Sequence, residues 1–333
     1  MHPNSLSRAF TSFPLLLRAI LLVSSALTAC ATQRPAVPSP SPTPLQESSS
    51  TSAAAQPPAA ATGPASAHPA FAVQVYPGDG APLILIPGLS SSAAVWDSTV
   101  ARYKGKHQLH VLTLAGFAGE PPIGGALVDS ARVQLARYIR EQKLKDAIVI
   151  GHSLGGMLSF WLAETDPELI AGVVSVDGVP FYSALVNPQA TAEAMKPYAA
   201  QMAAGMANAP HEQFVSQSKQ ALAQMITAPA DQDRALEWAK TSDQRTVGAA
   251  MAELMSTDLR PAEARIKARV LLIGATGGFP PAAQEQVRSV YEQQIAQIPV
   301  HELKVATHSR HFVMYDDPAF LFAALDNFLA GSK

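Results

Sequence analysis

A single cysteine, Cys30, occurs in 333 residues. No disulfide can therefore close within the chain, and a structural zinc site built from several thiolates is excluded. Charge is sparse: 15% of residues are charged, and 24 basic against 26 acidic side chains leave a formal net charge of −2. No basic block stands out, so the electrostatic footprint expected of a nucleic-acid binder is missing. No cluster of metal-ligating side chains appears, and catalysis without a cofactor is expected. No unit of roughly 20 to 50 residues repeats, which argues against a solenoid or propeller. The last absence is local. "RVLLIGATGGFPP" (269–281) runs from an apolar stretch into a loop with no Asp or Glu. Open parallel sheets place their chemistry just past the carboxyl ends of strands, so this loop lacks the acid it had room to carry. What is present in quantity is apolar surface, 48% of the residues, ample for a large core.

The first 29 residues read as a secretory signal. Arg8 and Arg18 flank a modestly apolar start, and "AILLVSSALTA" (19–29) is too short to span a bilayer. The run ends in "LTAC" (27–30), which resembles the lipobox of bacterial lipoproteins. That resemblance implies lipidation of Cys30, with several acyl chains giving stable anchoring. Ala31 then fits the outer membrane of a bacterial cell envelope better than retention at the inner one. A plain secretory signal with an incidental cysteine is the alternative. Residues 30–70 follow as a tether. Positions 31–70 hold nine prolines and only two charges, Arg34 and Glu47. Such a segment buries too little apolar area to offset its ordering entropy and is expected to stay disordered and extended.

From residue 71 the pattern changes. "PLILIPG" (82–88), "HVLTLAG" (110–116), "DAIVIGHS" (146–153), "GVVSVDG" (172–178) and "RVLLIGA" (269–275) are short apolar runs ending near glycine. They read as strands buried on both faces, the mark of a parallel sheet. "FAVQVY" (71–76) is expected at an edge, and "HELKVA" (301–306) as an outer strand. Helical stripes separate them, as in "ALVDSARVQLARYIREQKL" (126–144). Alternating strands and helices give an α/β class with a mainly parallel sheet flanked by helices. Residues 179–262 break the alternation with Ala- and Met-rich helical sequence, including Met195, Met202, Met206, Met225, Met251 and Met255. This stretch reads as an inserted helical cap. Its methionines suit either core filling or an adaptable apolar wall.

"GHSLGG" (151–156) carries the chemistry. It fits G-x-S-x-G, follows a predicted strand and opens a predicted helix, the context that motif requires. The sharp turn would lift the Ser153 hydroxyl clear of the sheet, over a helix N-terminus that favours developing negative charge. In these features residues 71–333 resemble the α/β-hydrolase superfamily. The resemblance implies that Ser153 is the nucleophile of a serine hydrolase. "LILIPGLSSSAAVWD" (83–97) matches the segment that usually reads His-Gly, here Pro87-Gly88, which implies an oxyanion hole from the N–H groups of Leu89 and Leu154. The terminal histidine loop matches "ATHSRHFVMYDDP", with His311 as the base and His308 as the runner-up. Many relatives carry the acid after the strand matched by "RVLLIGA", where this chain has none. A hydrolase can instead place it one strand earlier, which points to Asp177. Asp243 and Asp258 are the alternatives, while Asp316 and Asp317 are expected to serve the N-terminus of the final helix. His152 is expected to have a packing role.

The reading that follows is a serine hydrolase cleaving a hydrophobic carboxylic ester or lactone through an acyl-enzyme. An amidase or acyltransferase of the same superfamily is the near alternative. A non-catalytic envelope ligand-binding protein is the distant one, resting on the acid missing after Ile273.

Overall fold

A computed structural model describes residues 69–331. The expected leader, Cys30 and the tether therefore lie outside the described residues. Among the described residues seven strands form one sheet: β1 (Phe71–Tyr76), β2 (Gly78–Ile86), β3 (Gly105–Leu114), β4 (Ile148–His152), β5 (Gly172–Val176), β6 (Arg269–Ala275) and β7 (His301–Ala306). Their order across the sheet is β1-β3-β2-β4-β5-β6-β7. Only β1, at one edge, runs antiparallel, and β7 closes the other edge in parallel to β6. Every residue of β4 and β5 is buried, as expected of strands covered on both faces.

Two cores account for that burial. Because side chains alternate along a strand, Ile84 and Ile86 of β2 face one core and Leu83 and Leu85 the other. The first core is covered by α2 (Leu127–Glu141), α3 (Leu154–Thr165) and α9 (Pro281–Gln294), through residues such as Leu135, Leu158 and Val287. The second is covered by α1 (Asp97–Tyr103) and α11 (Pro318–Ala330), the latter through Leu321, Leu325 and Phe328. Between β7 and α11 lies a single turn, α10 (Val313–Asp316).

Five helices stand between β5 and β6: α4 (Tyr182–Val186), α5 (Ala192–Asn208), α6 (His211–Met225), α7 (Pro229–Thr241) and α8 (Gln244–Ser256). A 3-10 turn, Arg260–Arg265, leads back to the sheet. Met202 and Met255 are buried with Ala199 where α5 meets α8, with Met195 and Met251 packed against them. These methionines fill a helix–helix seam. No helix among the described residues is long and apolar enough to cross a membrane.

Candidate active site

The buried strand β4 stops at His152, and α3 starts at Leu154. Ser153 joins them at φ 54° and ψ −116°, a sparsely populated conformation costing on the order of 1–3 kcal/mol unless its surroundings enforce it. Here they do. The Ser153 N–H donates to the Val176 carbonyl at 2.9 Å, and the serine's own carbonyl accepts from the N–H groups of Gly156 and Met157. Gly155 lets the helix start lie against the end of β2, since a Cβ there would stand 2.4 Å from the Ile86 carbonyl oxygen. Leu154, as the first residue of α3, offers an N–H with no acceptor inside the helix. Gly88 runs alongside, where an added Cβ would be 3.1 Å from that of Ser153. Leu89, the next residue, is half-buried against the first core.

Asp177 directly follows β5. It also adopts a positive φ, 51°, which an aspartate tolerates better than most side chains. Its N–H still donates to Ile273 of β6 at 2.7 Å. A regular parallel ladder would next run from the Ala275 N–H to the Asp177 carbonyl. Instead the backbone turns away and Asp177 Oδ1 accepts that N–H, at 2.9 Å. The same oxygen accepts the Tyr291 hydroxyl at 2.5 Å. Oδ2 is left facing His311, whose Nδ1 lies 2.6 Å away.

The charge-free loop after β6 meets the histidine loop at one glycine. Its Gly277 donates to the Ser309 carbonyl at 2.8 Å. A Cβ on Gly277 would stand 2.5 Å from the carbonyl carbon of His308. No side chain fits at Gly277, whereas Gly278 beside it has room for one. What β6 contributes to the acid is the backbone N–H of Ala275.

The histidine loop is fastened on two sides. His152, 1% exposed, lies with its ring 4.6 Å from that of His311. Its Nε2 is 3.1 Å from the His311 carbonyl, which assigns the proton to Nε2. Burial, followed by the neighbouring His311, holds the His152 imidazole well below its usual range, hence neutral. On the other side the Arg310 guanidinium donates to the carbonyls of Ala223 and Ile226, at 2.8 and 3.2 Å. Asp316 accepts from the Arg310 N–H and from both the N–H and hydroxyl of Thr227.

The other candidates fall elsewhere. His308 is exposed, with Nδ1 near the Thr307 hydroxyl. Asp243 caps α8 by accepting from the Thr246 N–H and hydroxyl, and Asp258 pairs with Arg260. Asp317 caps α11 through the Phe320 N–H, as expected. Asp316 departs from expectation, since it ties the histidine loop to the segment after α6 rather than serving that helix. Sequence reasoning missed Tyr291 and Arg310 altogether. Tyr291 sits on the apolar stripe of α9, where a tyrosine reads as core; only its polar tip hinted at a buried partner.

A model of the alpha/beta hydrolase family matches residues 83–324. The chain belongs to that family. Over 107 residues this hydrolase is 30% identical to the pimeloyl-(acyl-carrier protein) methyl ester esterase of Aliivibrio fischeri (strain MJ11), covering 32% of this chain and 40% of that one. Over 103 residues it is 34% identical to the enzyme of the same name from Pectobacterium carotovorum, covering 31% and 38%. The match thus spans about 40% of the length of these curated relatives. Among solved structures it is similar to MenH from S. aureus, with TM-score 0.66 and 16% identity over 78% of this chain and 98% of the other. It is also similar to the enol-lactonase from Burkholderia xenovorans LB400, with TM-score 0.63 and 16% identity over 78% and 96%. At such identities the likeness establishes the fold.

Proposed function

We propose that this hydrolase cleaves a hydrophobic, uncharged carboxylic ester or lactone through an acyl-enzyme. The observations that carry the reading are the pair formed by Asp177 Oδ2 and His311 Nδ1 at 2.6 Å and, separately, the serine held at the strained turn between β4 and α3. Asp177 fixes the imidazole with Nδ1 protonated and leaves Nε2 free to act as a base. Ser153 Oγ attacks the acyl carbonyl as Nε2 takes its proton, and the carbonyl oxygen becomes the oxyanion. The N–H groups of Leu89 and Leu154 receive that charge, each such donor being worth roughly 100- to 1000-fold in rate. His311 returns the proton to the departing alcohol, and a water activated by the same nitrogen then releases the acid. The esterase and lactonase names among the relatives support this substrate class. The pairing also counts against a non-catalytic binding protein, since a carboxylate just after β5 meets His311 where none follows β6.

The test is a fluorophosphonate probe on the purified protein, read by intact mass. One adduct is expected on the wild type and none on Ser153→Ala. Asp177→Asn, whose side chain suits the same backbone conformation, should label roughly 10⁴-fold more slowly. A folded wild type that takes no label would refute the proposal. The proposal extends to location: Cys30 carries the lipid that anchors the chain in a bacterial outer membrane, with residues 31–70 as the spacer.

A further inference from the structure

We propose that Tyr291 is a positioning residue for the proposed triad, acting on His311 through Asp177. This rests on the reading of Ser153, His311 and Asp177 given above. Asp177 has two carboxylate oxygens with separate duties. Oδ2 meets His311, while Oδ1 accepts both the Ala275 N–H and the Tyr291 hydroxyl. Two donors on Oδ1 stop the carboxyl group from rotating, so Oδ2 keeps its bearing on Nδ1. They also draw negative charge away from the oxygen that faces the imidazole.

The rest of the fold is arranged around that hydroxyl. Tyr291 is 4% exposed. Burial, with Asp177 beside it, keeps the phenol well above its usual range, so it stays a donor at any pH the protein meets. Its ring lies flat over β6 at Gly274, where a Cβ would stand 2.7 Å from the Tyr291 Cδ2. Any larger residue at 274 would push the ring and its hydroxyl away. Gly274 and Tyr291 therefore form one device, with Ala275 between the strand glycine and the acid. The titratable groups facing His311 are Asp177 from β5 and His152 from β4. His152 is neutral, and neighbouring Arg310 is turned to the carbonyls of Ala223 and Ile226. Asp177 is thus the charge whose strength Tyr291 sets.

The experiment measures fluorophosphonate labelling rate against pH for the intact protein and for Tyr291→Phe. Loss of the hydroxyl concentrates charge on Asp177 and stabilises the imidazolium. The midpoint of the rising limb should move up by about half a pH unit. The plateau rate should fall by roughly 3- to 10-fold, a small part of the 10²- to 10⁴-fold that a positioned base supplies. The low-field proton resonance of His311 Nδ1–H should shift as well. A second variant, 3,5-difluorotyrosine at position 291, keeps the ring and strengthens the donor, and should move the midpoint down. It also keeps the test sharp should the phenylalanine variant fold poorly. Midpoints and resonance unchanged in both variants would overturn the proposal, even if Tyr291→Phe lowered thermal stability, since that pattern marks a purely structural tyrosine. A wild type that does not label at all would overturn the serine-hydrolase reading instead.

Discussion

Glu263, on the 3-10 turn before β6, is 1% exposed, and its Oε1 has no hydrogen-bond partner. Its other oxygen accepts only a long bond from the Gln297 N–H, at 3.4 Å. Burial pushes its carboxyl up to about 8, against the opposing pull of Arg260. The folded state therefore binds a proton that the unfolded chain releases near pH 4.5, the ordinary value for the group. Stability from this residue is full below that pH and is lost as pH rises toward 8. Glu263→Gln should flatten this slope and raise the melting temperature at pH 8 by about 2–4 °C, the shift that ~1 kcal/mol makes in a domain of this size. Scanning calorimetry at pH 5 and pH 8 checks it, and a variant with the wild-type slope would sink it. Among single residues, the proposed triad was legible as candidates where a motif or a strand end singles a residue out. Ser153 sits in G-x-S-x-G, and His311 and Asp177 follow strands at matching places. The Tyr291 contact was illegible because it is a hydroxyl meeting a carboxylate 114 positions away.

Helix α2 begins at Leu127 after Ala126, which has no side chain able to cap it. The cap comes from α8 instead. Glu253 places Oε1 3.1 Å from the Val128 N–H and Oε2 3.2 Å from the Asp129 N–H. A carboxylate there also meets the positive end of the helix dipole. Glu253→Ala should cost about 1 kcal/mol, as losing an N-cap does, and Glu253→Gln, which keeps one acceptor oxygen, should fall in between. Urea unfolding measures both, and an alanine variant as stable as wild type would show that water caps α2 equally well. The existence of every strand and of α2, α3, α9 and α11 was readable from periodicity and glycine punctuation, whereas the inserted helices were readable only as a helix-forming stretch. Their fastenings were not, because α2 carries no capping residue of its own and its partner lies 125 positions on. The same holds for Arg310 and Asp316, which bind the histidine loop to the end of α6 through groups 84 to 89 positions apart.

Across the whole molecule, the two cores cut across the boundary between inserted helices and sheet. Phe214, Val247, Ala250 and Leu254 belong with the strand residues of the first core, and Ile226 and Ala235 with those of the second. The alternation of strands and helices made the α/β class plain from sequence, while this sharing was hidden because it depends on which face each helix turns inward. Wild-type protein expressed in a Gram-negative host should stay in the carbonate-washed membrane fraction, and Cys30→Ser should move it to the soluble fraction. Equal partitioning of the two would remove the lipid from the proposal. One further consequence follows from the bond between Ala275 and Asp177. The donor is a peptide N–H, which every residue except proline provides. Position 275 can therefore drift among small side chains over evolutionary time without loosening the acid. A proline there would remove the donor outright, whatever its fit in the second core.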